Sequence, residues 1–203
     1  MLSEIKDIAV GLSAAFTAFF AFKGISTWRA ELKGRSEYQI AKDTLRAVYR
    51  VREAFKHVRG PAIYGYEYPE EMTNTHGHLK REFKHAGTAH VYEKRWKVLH
   101  DAFVELEQCH LEAMVEWGSE YQDVIVPLRK CRVDVQLAIQ HLLSRYQNPH
   151  EPDWMNAEER KEQQAILYYG GESSKYDTFT PKINDAVTKF EVWLRPHVSR
   201  KRS

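Results

Sequence analysis

The residues in this 203-residue chain best suited to chemistry are its ten histidines. His76, His78, His85 and His90 fall within fifteen positions of one another. Neutral imidazole is a good zinc or iron ligand, but a site needs three or four ligands converging, each held by its own hydrogen bonds. His76 and His78 flank Gly77 in a polar, loop-like stretch. Two Glu-x-x-His pairs also occur, Glu82 with His85 and Glu107 with His110. On a helix that spacing puts both ligands on one face, as in di-iron bundles. A di-iron site also needs two more inward carboxylates, and Glu53 and Glu162 are the best available. No Cys-x-x-Cys or His-Glu-x-x-His accompanies these residues. The candidate metal ligands are therefore His76, His78, His85, His90, Glu107 and His110. The competing readings are a solvated loop and, for His110, a hydrogen-bonded core histidine.

Other reactive chemistry has weaker support. Gly170 to Lys175 lacks the spacing of a phosphate loop and has no strand before it, so it reads as a turn. There is no nucleophile elbow or dinucleotide fingerprint. Cys109 and Cys131 lie on helical segments and read as inert, buried thiols. Two cysteines exclude a disulfide scaffold and fit a reducing compartment. No catalytic residue and no cofactor is assigned.

Charge and hydropathy narrow the function classes. The formal net charge of +2 excludes a strongly basic nucleic-acid coat and an acidic tail protein. Apolar residues at 43% and charged residues at 29% fit a folded globular chain. A mean hydropathy of −0.59 excludes a multi-span membrane protein. Against that average stands Ile8 to Phe22, IAVGLSAAFTAFFAF, fifteen residues without a charge. A span needs roughly 20 residues, which Ile5 to Trp28 can supply if Lys23 snorkels to the headgroups. The membrane-anchor residues would include Ile8, Phe16, Phe19, Phe20, Phe22 and the interfacial Trp28. The mixed-charge start at Glu4, Lys6 and Asp7 and the bulky exit argue against a cleaved signal peptide. A buried core helix is the alternative. Lys23, Arg29, Lys33, Arg35 and Lys42 follow the run, so the positive-inside rule puts the C-terminal side in the cytoplasm.

From Lys23 to Arg59 there are ten Lys or Arg against four Asp or Glu. Beside a bilayer such residues attract anionic lipid. No reading motif or stacking patch accompanies them, so no nucleic-acid partner is expected.

The elements that must position these groups are helical. Tyr38, Ala41, Leu45, Val48, Arg52 and Phe55 form a coiled-coil-like seam on a long helix that Gly60-Pro61 ends. Arg52 either joins a buried polar layer or snorkels to water. Residues 60–78 form a loop in which Tyr64, Tyr66 and Tyr68 alternate. Tyrosine is enriched at interfaces, so this loop is a possible docking surface; packing on its own bundle is the alternative. A second seam runs Tyr92, Trp96, Leu99, Phe103, Leu106, His110, Ala113, Trp117. It resumes at Tyr121, Val124, Leu128, Cys131, Val135, Ala138 and Leu142. Gly118 and Pro127 interrupt it, which predicts two helices or one bent one, with Ser119 and Gln122 as a capping box. Asp153 or Asn156 should cap a shorter helix to about Tyr169. A last helix should start at Thr180 and end at Arg195-Pro196.

The apolar run with the GISTWRAELKGRSEYQIAKDTLRAVYRVREAF that follows it, HVYEKRWKVLHDAF, LEAMVEWG and KINDAVTKFEVWLRP resemble small single-pass bacterial membrane proteins of uncharacterised function. The resemblance implies an inner-membrane location and a helical cytosolic domain, and it brings no substrate. The expected protein is all-α: a membrane anchor over 1–28, an antiparallel helical bundle over 29–195 and a basic tail over 196–203. It would act as an interaction, scaffold or sensor protein, with the bilayer and a protein partner or second copy as its partners. The alternative is a metal-binding enzyme, or a membrane-associated defence or stress effector, using residues 76–110.

Overall fold

The computed structural model describes residues 2–150, 155–171 and 174–199, and for residues 2–15 and 18 it describes the backbone alone. Among these, the regular elements are helical: α1 (Leu2–Val58), α2 (Lys84–Trp117), α3 (Val126–Gln147), α4 (Ala157–Leu167) and α5 (Phe179–Val198). The chain divides into two units, residues 1–40 and 41–203.

The first unit is helical throughout its described length. The transmembrane expectation falls largely on Ile8 to Ala15, whose side chains lie outside the described residues. Among the described residues no helix is long and apolar enough to cross a membrane. The physical reason is length: the uncharged run continues past Phe16 only to Phe22, and then Lys23, Arg29 and Glu31 follow.

The second unit is built on faces set by helical periodicity. α1 contributes Ala41, Thr44, Ala47, Val48, Val51, Ala54, Phe55 and Val58. Of the expected seam, Ala41, Val48 and Phe55 are core, whereas Leu45 and Arg52 sit half-buried at its edge and Tyr38 is exposed. The α2 seam holds better, with Tyr92, Leu99, Phe103, Leu106, His110 and Ala113 all buried. Phe55 meets Phe103 edge-to-face at 5.8 Å, joining α1 to α2.

The break between α2 and α3 is sharper than a bend. Gly118 ends α2 at φ +89°, a conformation that favours glycine. Ser119–Ile125 then runs as two short 3-10 pieces kinked at Tyr121, and Pro127 sits in the first turn of α3, where it costs no hydrogen bond. Ser119 and Gln122 form no capping box, because Gly118 holds the cap position and the 3-10 path replaces an α-helical first turn. Asn156 does cap α4: its Oδ1 accepts from Glu158 and Glu159 N–H at 2.9 Å, and Glu159 returns a bond to the Asn156 N–H at 2.8 Å.

Pro196 does not end α5. The helix runs on to Val198, and the Ser199 N–H closes its last turn on the Arg195 carbonyl at 2.8 Å. His197 stacks on Trp117 with ring centroids 4.2 Å apart, which holds that turn against α2.

At the other end of α5 lies a buried ion pair. Arg59, just past α1, and Asp177, just before α5, are each 1% exposed at the side chain and 2.8 Å apart. Arg59 also donates to the carbonyls of Ala165, Ile166 and Tyr168 and to Thr180 Oγ1. Asp177 accepts from the backbone N–H of Gly170, Phe179 and Thr180 and from the Thr180 hydroxyl. Burial pushes the carboxyl up, but these donors outweigh it and hold it below its ordinary value. Burial likewise pulls the guanidinium down, with Asp177 opposing. Arg59→Ala or Asp177→Ala strands one buried charge and should cost about 3 to 5 kcal/mol in urea unfolding. Arg52→Ala should cost less than about 1 kcal/mol. Equal losses at positions 52 and 59 would refute this assignment of the core.

Candidate functional surfaces

The first candidate surface is the described part of the first unit. Phe16, Phe19, Phe20, Phe22 and Trp28 are all exposed, Phe22 to 76%. They point to several sides of the helix, and Ile25 and Leu32 extend the apolar surface beyond Lys23. The side chain of Ile8 lies outside the described residues. The first hydroxyls after the run turn inward: Ser26 Oγ and Thr27 Oγ1 donate to the Lys23 carbonyl at 2.8 and 2.9 Å. Such back-bonding satisfies a hydroxyl without solvent.

The second surface is the tyrosine loop. Its foundation is Arg95 of α2, buried, with a bidentate pair to Glu67 at 2.8 Å. Arg95 also donates to the Gly60 and Ala62 carbonyls at 2.9 and 2.7 Å. Glu67 accepts the Tyr64 N–H in turn. Burial pushes the Glu67 carboxyl up, but Arg95 and the Tyr64 N–H hold it below its ordinary value. A side chain at Gly65 would come within 2.5 Å of the Gly77 carbonyl, so two parts of the loop touch there through backbone alone. On this base Tyr64 and Tyr66 stack face to face, 5.6 Å apart and 4° from parallel, and Tyr66 is 84% exposed. Tyr68 is half-buried beside Gly87 of α2. The two readings of the loop thus divide between residues: Tyr64 and Tyr66 face out, and Tyr68 packs on the bundle.

The candidate metal ligands do not converge. His76 and His78 are exposed on a tight turn made by Asn74, whose Oδ1 accepts both of their N–H groups at 3.0 Å. Glu82 belongs to a 3-10 turn, Arg81–Phe83, that precedes α2, so it does not share a helical face with His85. His85 and His90 are half-buried on the first turns of α2. Glu107 and His110 diverge: Glu107 pairs with Arg129 at 3.0 Å on the surface, while His110 points into the core. Glu53 pairs with Lys56 and Arg52, and Glu162 faces Lys182. Among the described residues no group of three or more His, Cys, Asp or Glu could hold a metal ion.

His110 is a core histidine with a defined partner. Its Nε2–H donates to the Tyr121 carbonyl at 3.1 Å, and its ring meets Phe190 and Trp193 edge-to-face. This histidine ties α2 to the 3-10 segment and to α5. The indole N–H groups of Trp117 and Trp193 have no oxygen or nitrogen acceptor among the described residues. Their rings meet at 5.9 Å and 83°, the geometry in which an N–H edge can face a π cloud. Both cysteines are free thiols; burial pushes Cys109 up and Cys131 to about 11, so neither is a ready thiolate. Sequence reasoning missed Arg59, Arg95 and Asp177.

No family model matches the chain, and no curated protein or solved structure is significantly similar to it.

Burial pulls the His110 pKa below its ordinary 6.5, and the Tyr121 carbonyl only partly offsets this. The unfolded chain therefore binds a proton at this residue before the folded chain does. Stability should fall as pH drops through about 6.5, and the loss should stop below the folded pKa. Carboxylates held low, such as Glu67 and Asp177, add their losses only at more acid pH. Urea unfolding from about pH 7.5 to about pH 5.5 should show a smaller loss in His110→Gln than in the parent chain.

Proposed function

We propose that this protein is a single-pass, membrane-anchored helical interaction module of the bacterial inner membrane, with its second unit in the cytoplasm. The observation that carries the reading is the exposed set Phe16, Phe19, Phe20, Phe22 and Trp28. Each exposed phenylalanine leaves roughly 2 to 3 kcal/mol of burial unrealised in water. A helix apolar on several sides belongs in a low-dielectric surrounding. The inward-bonded hydroxyls of Ser26 and Thr27 suit the same boundary. The uncharged residues from Ile8 onward supply the remaining length, with Lys23 snorkelling at its end.

On the cytoplasmic unit, the stacked Tyr64–Tyr66 pair is the proposed contact for a protein partner or a second copy. Stacked tyrosines present a large, rigid, amphipathic area, already held in place by Glu67 and Arg95.

Two experiments test these parts separately. The full chain should stay in the membrane pellet after alkaline carbonate washing, and release into the supernatant would sink the anchor. Tyr64→Ser with Tyr66→Ser should abolish a cross-linked complex while the melting temperature barely moves. Tyr68→Ser should lower the melting temperature. If the double variant instead destabilises the chain as Tyr68→Ser does, the pair is structural.

A further inference from the structure

The charges just beyond the apolar run are not equivalent. Between residues 16 and 40 there are two carboxylates, Glu31 and Glu37. Glu31 accepts Arg35 at 2.7 Å, and Glu37 faces Lys33 at 3.9 Å, each pair four residues apart on the helix. Lys23 and Arg29 have no carboxylate partner among the described residues. They stand on either side of Trp28 in sequence, and six residues of α-helix place them about 9 Å apart along the axis. Both are exposed.

That spacing has a physical counterpart. The polar layer of a bilayer adds roughly 5 to 8 Å on each side of its hydrocarbon core. If the apolar run ends at Phe22, Lys23 sits at the inner edge of that layer and Arg29 at its outer edge. Trp28, an interfacial side chain by chemistry, lies between them. The acids that would repel lipid phosphates are already engaged by Lys33 and Arg35. The Ser26 and Thr27 hydroxyl protons are also used, on the Lys23 carbonyl, so these two residues offer no competing O–H donor. What this part of the helix presents at headgroup depth is an ammonium, an indole and a guanidinium.

We propose that Lys23 and Arg29, set around Trp28, form a contact for anionic phospholipid headgroups, so that the helix selects negatively charged lipid for its immediate surroundings. The inference rests on the anchoring reading and adds the class of lipid. Lysine offers a compact charge to a phosphate, and arginine a planar fork that binds two of its oxygens at once. Each cation near an anionic surface adds about 1 kcal/mol, equivalent to about a fivefold preference.

The test uses the full chain reconstituted in vesicles of phosphatidylcholine and phosphatidylglycerol, one of the two carrying brominated acyl chains that quench nearby tryptophan. Trp28→Phe isolates the Trp28 signal from the other four tryptophans. The ratio of quenching by the two lipids gives their relative association with the helix. Phosphatidylglycerol should be preferred several-fold, and the preference should fall about fivefold for each of Lys23→Gln and Arg29→Gln. It should also shrink at high salt, since exposed charges are screened. Lys33→Gln, which removes an ion-paired cation, should change it less. A ratio near one in the parent chain, or a preference untouched in the Lys23→Gln/Arg29→Gln double variant, overturns the proposal. Failure of any brominated lipid to quench Trp28 would overturn the anchoring reading itself, and this proposal with it.

Discussion

The second unit depends on one buried charge pair. Arg59 and Asp177 would each be costly to bury alone, and the pair is tolerable because both are also hydrogen-bonded to the backbone and to Thr180. That requirement organises its surroundings. The carbonyls freed at the end of α4 turn toward Arg59, and the Tyr169 N–H returns a bond to the Arg59 carbonyl at 2.7 Å. Gly170 and the first residues of α5 turn toward Asp177. The ends of α1 and α4 and the start of α5 are thereby joined at one point. An apolar cluster of the same volume could be equally stable, but it would not specify which carbonyl meets which donor.

The second buried arginine works on a smaller scale. Arg95 gathers the Gly60 and Ala62 carbonyls and Glu67, and so gives a loop of short 3-10 turns a fixed shape. The stacked tyrosines stand on that base. Their ordering cost is met by the loop's own hydrogen bonds. Among its described residues the first unit has no comparable internal network. Its described ion pairs are local, four residues apart, and its described large side chains face outward.

Much of the fold was legible because helical periodicity is strong. The α2 seam, the Asn156 cap, the glycine stop after Trp117 and the Gly60-Pro61 stop follow from residue type and spacing. The arginines were less legible. Arg52 and Arg59 both fit the three-and-four stepping of α1, and the stepping alone does not tell which of them the core takes. What buries Arg59 is Asp177, more than a hundred positions away, and no local pattern announces such a partner. The histidines misled in the opposite sense. Glu82-x-x-His85 has the spacing of a ligand pair, but a 3-10 turn separates the two residues. Glu107-x-x-His110 lies on one helix, yet the core takes the imidazole and Arg129 takes the carboxylate. Pro196 marks a helix end by rule, and the stacking of His197 on Trp117 carries the helix one turn further.

The distance along the chain between Arg59 and Asp177 also bears on synthesis. The two residues are 118 positions apart, and Tyr49 and its partner Glu191 are 142 apart. At 5 to 20 residues per second, a ribosome takes about 6 to 24 s to bridge the shorter gap. Throughout that interval Tyr49 and Arg59 lack the partners that the last part of the chain supplies. An apolar N-terminal segment and an uncovered helix face thus leave the ribosome together, well before the residue that completes the central ion pair. The nascent chain therefore presents two apolar surfaces at once, and the second is covered only as the later helices arrive.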